Sequence, residues 1–588
     1  MLYKLGRMHI LLAIPSIALL LTVFGIPIVL LFFTSLNAPE FTLSNYTAFF
    51  SQPANIRVLL QTIEISAVAT AACVVIGYPT AYLIANASKR WRVVLIVLVV
   101  IPYLTSGLAR TYAWVVILGD RGLINNLLMD LSLISSPLPL IYNRFAVYIG
   151  MVHIMLPMMI LPLISVMVGI DKSLVTAARS LGARPFAAFW RVFLPLSLPG
   201  LRSGSLLVFV ICLGFYITPA ALGGLRDAML STFIAAQVQT SFNLARIATS
   251  AFIILAIATA ILLMMGLDLS GKPTSASSSR RKLWLGRLPV LGRLKQFLGE
   301  RLAPFRARRW SAQLYRSGGD GTWSRRAGYV FLVLVLFYLL FPEILVVTVS
   351  FSAESFLTFP PSALSLRWYR NFFTDQSWAS AAWTSVEIGL VVGTIATIFG
   401  TLAAYGLSRM SARPRIVLNL LLLMPITIPV IVVGVATYTG LVNLGLTGTR
   451  LGVILAHTIG AIGYVVVIVS ATLANFDRRL EDAAKSMRAS PFATFMRVTL
   501  PLIRPGILGG AVFAFLHSFD EVVITSLVSG YAVRTLPLKM WENMRNELDP
   551  TIAAVASMLI LLPLLWLLLI YLTWWRSRLT SRAATDPV

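Results

Sequence analysis

The feature that most constrains this chain is a series of apolar blocks longer than the helices and strands that form the core of soluble proteins. A membrane-spanning helix needs about 20 mainly apolar residues. Twelve segments qualify, with approximate limits 9–33, 58–86, 92–108, 145–169, 201–223, 247–268, 327–350, 383–408, 416–441, 451–474, 507–529 and 552–575. We therefore predict an all-α polytopic membrane protein with twelve transmembrane helices.

The Lys and Arg residues predict the orientation of these helices, because positive residues are retained on the cytoplasmic side of a membrane. Basic segments at 89–92, 409–415 and 576–578 each follow an even-numbered span, which places both termini in the cytoplasm. Membrane topology thus explains the net charge of +26. Because the charges form no continuous face, we expect no nucleic-acid partner.

The most basic segment divides the chain into two halves. Residues 270–326 contain 14 Lys or Arg against Glu300 and Asp320. Leu and Phe residues at helical spacing within 291–305 suit an amphipathic helix on membrane lipid, although a solvated basic linker remains an alternative. The predicted domains are a first half at 1–269, a cytoplasmic or interfacial linker at 270–326 and a second half at 327–588.

One stretch occurs twice, as AARSLGARPFAAFWRVFLPLSLPG from Ala177 and as AAKSMRASPFATFMRVTLPLIRPG from Ala483. A second correspondence places Glu64 on Glu387, so the repeat extends over each half. Six is an even number of spans, and both copies therefore enter the membrane from the same side. We predict two six-helix units related by pseudo-two-fold symmetry, with both repeated loops, 171–200 and 477–506, facing the cytoplasm.

Each repeated loop has the pattern of a short helix, a sharp turn and another short helix. Asp171 and Asp477 suit the caps of the first helices. Gly182 suits a left-handed helix end, and Pro185 and Pro491 suit the first turn of the second helices. Residues at positions i, i+3, i+4 and i+7 form an apolar face in each copy, namely Leu174, Ala177, Ala178 and Leu181, and Leu480, Ala483, Ala484 and Met487.

Two explanations of this apolar face are open. The loops either insert into a cytoplasmic partner or pack as interfacial hairpins against the chain's own spans. A single loop would favour the hairpin, but two matching copies on one side favour a two-fold pair of partners.

These loops resemble the EAA motif of ABC importer permeases, in which Glu-Ala-Ala, a later Gly and a Leu-Pro mark the helices that dock on ATPase subunits. Thr176 stands in place of the family's Glu, and Arg488 stands where Gly is usual, at a cost of about 1–2 kcal/mol in left-handed geometry. We therefore expect the second loop to turn differently and the two loops to couple unequally to ATP. The coupling residues implied by the resemblance are Ala177, Ala178, Leu181, Gly182, Pro185, Asp482, Ala483, Ala484, Met487, Arg488 and Pro491.

The resemblance extends over most of the chain outside the linker. RTYAWVVILGDRGLINNLL at 110–128 is similar to the first permease subunit of spermidine/putrescine-type importers, and SFDEVVITSLVSG at 518–530 is similar to the second. This implies two fused type I permease domains in the bacterial inner membrane, two copies of a cytoplasmic ABC ATPase and a periplasmic solute-binding protein. The implied solute is a polyamine, an opine or an aminophosphonate, with ferric iron as the alternative.

The chain shows no motif of its own for using ATP. GLDLSGK at 266–272 has the spacing of a phosphate-binding loop, but Pro273 replaces the Ser or Thr that would hold magnesium. The four His residues are dispersed, and we predict no catalytic residue, no metal site and no cofactor on this chain. ATP and Mg are expected on the partner ATPase subunits. An ion-driven secondary transporter and a membrane scaffold are the rival classes.

Ionisable residues inside spans cost about 2.5–3.5 kcal/mol at the membrane centre and usually face a pathway or a partner. Asp520 and Glu521 are adjacent and cannot share one helical face, so at most one should point into a central cavity. Tyr216, on the corresponding fifth span, is expected to line the opposite wall. Glu64 and Glu387 suit a repeated helix–helix hydrogen bond better than a place in the pathway. An acidic wall suits a cationic solute.

Overall fold

The computed structural model describes residues 10–240, 243–264, 322–354, 359, 361–530, 532–546 and 549–565. Within these residues the chain is helical apart from its connecting segments and one isolated β-bridge, between Ser352 and Leu364. The predicted all-α fold is confirmed. The predicted amphipathic helix within 291–305, the stretch 266–272 and the basic segment 576–578 lie outside the described residues. Met1–Leu267 and Leu336–Val588 form one unit, and Asp268–Val335 forms another.

The first half contains twelve described helices. They are α1 Ile14–Ser35, α2 Ser44–Ser51, α3 Pro53–Asn86, α4 Lys89–Leu104, α5 Gly107–Leu118, α6 Leu123–Asp130, α7 Arg144–Val168, α8 Lys172–Ser180, α9 Pro185–Leu213, α10 Ile217–Leu222, α11 Leu230–Thr240 and α12 Leu244–Met264.

The second half contains eleven described helices. They are α13 Thr322–Val349, α14 Arg367–Thr374, α15 Gln376–Arg409, α16 Ala412–Thr427, α17 Val430–Asn443, α18 Arg450–Ala474, α19 Arg479–Ser486, α20 Pro491–Phe519, α21 Val523–Val528, α22 Leu536–Asn546 and α23 Thr551–Leu565.

The helices follow the same order in both halves, apart from α6, which lies in the connection between α5 and α7 and has no equivalent in the second half. The long helices also match in length, with 34 residues in α3 and α15, 25 in α7 and α18, and 29 in α9 and α20. Capping follows the same pattern. Asn143 accepts a hydrogen bond from the first turn of α7 at 2.9 Å, and Thr449 accepts one from the first turn of α18 at 3.0 Å.

The described residues contain nine helices that are long and apolar enough to cross a membrane, or eleven if two bent pairs each count as one span. The prediction of twelve uninterrupted spans needs correction at 92–108 and 416–441. There α4 meets the segment Gly107–Asp130, which contains α5 and α6, at 90°, and α16 meets α17 at 102°. Both breaks follow a Pro-containing turn, where a backbone N–H is lost to the helix. The last predicted span is described only as the shorter apolar helix α23.

The first helix of each half packs against the other half. In α1, Ser16 Oγ donates a hydrogen bond to the carbonyl of Phe399 in α15 at 2.9 Å. In α13, Tyr338 Oη donates to the carbonyl of Ile149 in α7 at 2.6 Å. These contacts hold the two sets of helices around a shared interior.

Candidate functional site

The helices α8 and α19, which we call the surface helices, each begin after an Asp. Asp171 accepts a hydrogen bond from the backbone N–H of Ser173, and Asp477 accepts one from Arg479, both at 2.9 Å. The backbone and side-chain hydrogen bonds from Ser173 lower the pKa of Asp171 below its usual value. The predicted cap is confirmed for Asp171, whereas Arg478 occupies the cap position of α19 and Asp477 lies one residue before it.

The apolar face of each surface helix is open to solvent. Leu181 and Met487 are 88% and 84% exposed, and Leu174 and Leu480 are 47% and 46% exposed. The small side chains on the same face, Ala177, Ala178, Ala483 and Ala484, are exposed or half-buried. A hairpin packed on its own spans would bury the large side chains, because each contributes about 1.5–3 kcal/mol on burial. The open face therefore favours docking of a partner over the interfacial hairpin.

The turns after the two surface helices have the same geometry, contrary to the expectation from the sequence. Gly182 has φ of 87° and Arg488 has φ of 61°. In each turn the next residue donates its N–H to the carbonyl five residues earlier, at 3.0 Å in the first loop and 3.1 Å in the second. These bonds satisfy carbonyls at the helix end and hold Arg488 in a conformation that is costly for a non-Gly residue.

Each turn leads into a long helix, and the predicted second short helix is not a separate element. Pro185 and Pro491 lie in the first turns of α9 and α20, as predicted. Each helix widens into a π-helical turn before a Leu-Pro pair and then continues. The wider turn tolerates the missing N–H of Pro195 and Pro501. The predicted spans 201–223 and 507–529 therefore begin and end earlier, at 185–213 and 491–519.

The second surface helix is fixed to its own half by a buried ion pair. Arg409 Nη2, at the end of α15, lies 2.5 Å from Glu481 Oε1, and Thr499 Oγ1 donates to the same oxygen at 2.6 Å. Asp482, on the outer side, forms an exposed ion pair with Lys485 at 3.2 Å. The sequence analysis did not assign this role to Glu481. An acidic residue within a basic and apolar loop was the signal that could have indicated it.

The first surface helix is attached to its half differently. The positions equivalent to Arg409, Glu481 and Thr499 hold Asn86, Val175 and Phe193. The ring of Tyr82 packs edge-on against Phe189 and Phe193, with centroids 5.3 and 5.0 Å apart. The second half has the equivalent aromatic contact, between Tyr405 and Phe495 with ring centroids 4.8 Å apart, and has the ion pair in addition.

We expect Glu481→Gln to loosen the second surface helix, because breaking a buried ion pair by removing one partner costs about 3–5 kcal/mol. Tryptic cleavage at Arg478–Arg479 should become at least tenfold faster. The matched control is Val175→Gln, at the equivalent position of the first half, with cleavage at Arg179 as its readout. Equal cleavage of Glu481→Gln and the unmodified chain would show that the ion pair does not hold α19.

A cavity of about 500 Å³ lies between the helices of both halves, where several of them are interrupted. It adjoins the breaks between α4 and α5 and between α16 and α17. Interrupted backbone inside a membrane is tolerated where it is buried in protein or lines such a cavity. Its wall is mainly apolar, with polar groups that include Tyr103, Ser106, Arg110, Tyr464, His517, Asp520 and Glu521.

Asp520 and Glu521 both line this cavity, which corrects the prediction that at most one would do so. That prediction assumed a continuous helix, but α20 ends at Phe519. Asp520 accepts hydrogen bonds from Ser106 Oγ and, at 3.2 Å, from the N–H of Gly107. Glu521 accepts one from a backbone N–H of α21 at 2.8 Å. Within the described residues, neither carboxylate forms an ion pair with a basic side chain.

Tyr216 does not line the cavity, contrary to expectation. Because α9 ends at Leu213, Tyr216 falls in the following break, where it is 4% exposed and packs against Trp541 with ring centroids 5.5 Å apart. Its neighbours Phe215 and Ile217 line the cavity instead.

Glu64 and Glu387 lie away from the cavity lining and form equivalent ion pairs between helices. Glu64 contacts Arg144 of α7 at 3.0 Å, and Glu387 contacts Arg450 of α18 at 2.8 Å. The structure thus brings Asp520 and Glu521 together in the cavity lining and places the other three candidate pathway residues, Tyr216, Glu64 and Glu387, elsewhere. Sequence reasoning missed Arg110 and Ser106, which lie at the break between α4 and α5 and became recognisable only once that break was seen.

Comparison with known proteins identifies the class. The sequence pattern of binding-protein-dependent transport system inner membrane components matches residues 74–269 and 396–583. The spermidine/putrescine transport system permease protein PotB of Haemophilus influenzae is 38% identical over 202 residues, covering 34% of this chain and 70% of that protein. PotC of the same organism is 32% identical over 235 residues, covering 40% of this chain and 91% of that protein.

The chain belongs to the family of binding-protein-dependent transport system inner membrane components and carries the family's domain twice. PotB-like and PotC-like permeases each match one half, as expected of two fused permease subunits. Membership implies a multi-pass inner-membrane transport protein. A solved bacterial ABC transporter for import of the acidic polysaccharide alginate is 19% identical, with a TM-score of 0.36 over 45% of this chain and 96% of that chain. A likeness at this level adds nothing to the assignment.

Proposed function

We propose that this chain is the transmembrane pathway of an ATP-driven importer that moves a small amine-bearing solute from a periplasmic binding protein to the cytoplasm. Its halves, 1–269 and 327–588, act as the two type I permease domains, joined by the basic linker 270–326. Both termini and both surface helices lie on the cytoplasmic side. Sequence identity to PotB and PotC, each over one half, supports this assignment.

The observation that carries the proposal is the continuity of one helix from each surface helix to the cavity. α20 runs for 29 residues from the turn after α19 to Phe519, and Asp520 follows at the cavity wall. At about 1.5 Å per residue such a helix is roughly 43 Å long. α9 makes the same connection in the first half, where Val210 and Ile211 line the cavity. A movement of the surface helices would therefore be transmitted to the cavity wall by α9 and α20.

The partners follow from this arrangement. Two copies of a cytoplasmic ABC ATPase bind ATP and Mg, and each receives one exposed apolar face, with the coupling residues named above at the contact. When ATP brings the ATPases together, the surface helices follow and the cavity opens outward to accept solute from the binding protein. The chain itself carries out no hydrolysis. Alternating access of this kind needs only rigid movement of one half against the other.

The cavity chemistry supports a cationic solute. Asp520 and Glu521 accept hydrogen bonds from uncharged donors and form no ion pair within the described residues, and the apolar wall suits an alkyl chain between amino groups. PotB and PotC are named for spermidine and putrescine. An opine or an aminophosphonate shares the amine, whereas ferric iron does not, and the iron alternative is therefore not favoured.

The test is uptake by proteoliposomes that contain the chain with the ABC ATPase and binding protein that co-purify with it. We expect ATP-dependent uptake of labelled spermidine, less of aminoethylphosphonate and none of ferric citrate. Uptake that persists without the ATPase and is abolished by an uncoupler would identify a secondary transporter instead. Absence of any solute-dependent ATP hydrolysis would identify a scaffold.

A further inference from the structure

Asp520 joins the two halves of the chain at the wall of the cavity. It is the first residue after α20 in the second half, and its carboxylate meets the start of α5 in the first half. Ser106 Oγ donates a hydrogen bond to Oδ1, and the backbone N–H of Gly107 donates one to Oδ2 at 3.2 Å. The same hydroxyl accepts the N–H of Ala109 at 3.4 Å, which makes Ser106 the cap of α5. One carboxylate thus holds both the cap and the first N–H of a helix that belongs to the other half.

The electrostatics of this contact depend on the charge of Asp520. α5 has 12 residues, and the N-terminus of such a helix carries a partial positive charge and N–H groups that have no partner within the helix. Hydrogen bonds from these groups to an ionised acceptor are stronger than those between neutral groups. The contact between Asp520 and α5 is therefore strong while the carboxylate shares its charge with no cation, and it weakens when a cation binds the carboxylate.

The other side of the cavity has the same backbone arrangement without the carboxylate. Gly214 directly follows α9, as Asp520 directly follows α20. Pro429 directly precedes α17, as Ser106 directly precedes α5. A Cβ on Gly214 would lie 2.7 Å from Cβ of Pro429 and 3.3 Å from the backbone nitrogen of Val430, so the two backbones are in direct contact. Because Gly has no side chain and Pro has no N–H, this second contact between the halves does not depend on charge.

We infer that the solute and the N-terminus of α5 compete for Asp520, so that an ammonium group that binds this carboxylate releases a contact between the two halves. This inference rests on the proposed function. A carboxylate has about four lone-pair sites, and α5 occupies two of them, so the solute can bind the others from the cavity that Asp520 lines. As the ammonium group takes up the charge, Ser106 and Gly107 hold the carboxylate less tightly, and the halves separate more readily.

The consequence is that Ser106 sets the affinity for the solute through Asp520, which makes it a positioning residue. A ligand shifts an equilibrium between two arrangements only by its difference in affinity for them. The solute binds Asp520 more tightly once α5 has released the carboxylate, so it favours the arrangement in which this contact is open. Binding of the solute is thereby coupled to the movement of one half against the other.

The test combines the KM for spermidine uptake with ATP hydrolysis in the absence of solute, for the full chain reconstituted with its partners. Ser106→Gly removes the hydroxyl that holds Asp520, and Gly is also accepted at a helix cap. We expect KM to fall about threefold, because the competitor for Asp520 is weakened, and solute-free hydrolysis to rise about fivefold, because the halves separate more readily. Ser106→Thr keeps the hydroxyl and should show neither change. Asp520→Gly, which copies Gly214, should also raise solute-free hydrolysis, and spermidine should no longer stimulate it.

The direction of the change in KM distinguishes competition from a role of Ser106 in orienting Asp520 for the solute. A rise in KM in Ser106→Gly, or unchanged solute-free hydrolysis, would contradict the inference. The matched control is Thr111→Val, which removes a hydroxyl of the same helix whose 2.8 Å hydrogen bond, to Thr218, stays within the first half. If Thr111→Val shows the same two changes, they reflect the loss of a hydroxyl from α5, and the inference fails.

Co-purified ATPase shows whether each variant has folded, and Ser106→Ala replaces Ser106→Gly should the latter not accumulate in the membrane. Failure of the unmodified chain to take up spermidine with ATP would instead contradict the proposed function.

Discussion

Replacing Ala178 or Ala484 by Glu is expected to reduce the affinity of the ABC ATPase for this chain by at least 100-fold and to abolish solute-dependent ATP hydrolysis. Both alanines lie on the open apolar faces and are only half-buried by their own chain. A carboxylate inserted into an apolar cleft loses its hydration without gaining a partner, which costs several kcal/mol. A 100-fold loss corresponds to about 2.8 kcal/mol, well within that cost.

The measurement is co-purification of the ATPase at graded concentrations, followed by spermidine-stimulated ATP hydrolysis in proteoliposomes. Lys172→Gln and Lys485→Gln serve as controls, because they make the same one-unit change in net charge on the opposite face of the surface helices. The controls should bind and hydrolyse normally. Equal ATPase binding by Ala484→Glu and Lys485→Gln would contradict the assignment of α19 as a docking element. Because the two halves attach their surface helices differently, Ala178→Glu and Ala484→Glu need not have equal effects.

The sequence predicted features that depend on local chemistry. Asp171 caps α8, and Asp477 accepts the N–H of Arg479 at the start of α19, because a carboxylate can reach a backbone N–H two residues further along without help from the rest of the fold. Gly182 ends a helix in the left-handed region because no Cβ opposes it. The apolar face of each surface helix was equally visible from residue spacing. The exposure of this face could not be predicted, because residue spacing defines a face but does not show which other residues cover it.

Features that depend on where a helix breaks were mispredicted. Asp520 and Glu521 were assigned to one continuous helix, and the break after Phe519 brings both to the cavity and removes Tyr216 from the expected wall. The residues on either side of such a break are equally apolar, so composition does not reveal where the helix ends. At Arg488 the sequence predicted a different turn, and the structure shows the same turn as at Gly182. Two backbone hydrogen bonds at the helix end hold Arg488 in the left-handed region, which a non-Gly residue otherwise disfavours.

Pairs of residues that are distant in sequence were out of reach for single-sequence reasoning. Arg409 and Glu481 lie 72 positions apart, and their contact depends on how α15 meets α19. Tyr338 and Leu339 contact the other half because α13 packs against α7, which counting the spans does not show. The repeat predicted equivalent elements but not the differences between them, such as Phe193 where the second half has Thr499.

Asp520→Asn is expected to raise the KM for spermidine by about 10- to 150-fold. Hydrogen bonds to charged groups contribute about 1.5–3 kcal/mol, and a factor of ten corresponds to about 1.4 kcal/mol. Asn has nearly the shape of Asp, and its single oxygen can still accept the N–H of Gly107. Its NH2 group takes the place of the other oxygen and can donate to Ser106 Oγ, since a hydroxyl both donates and accepts, so the variant removes the charge with little change in local geometry. The uncharged side chain no longer attracts an ammonium group.

Initial uptake rates over a range of spermidine concentrations measure this effect, with co-purified ATPase as the check that the variant has folded. Glu387→Gln is the matched control, because it neutralises an acid in an ion pair away from the cavity lining and should change KM less than about twofold. A neutral solute of similar length tests whether charge or shape is recognised. Its uptake should be poor, and it should be equally poor for the unmodified chain and for Asp520→Asn. An unchanged KM for spermidine in Asp520→Asn would mean that the solute passes this carboxylate without pairing with it, and the cavity would then be a passage and not a recognition site.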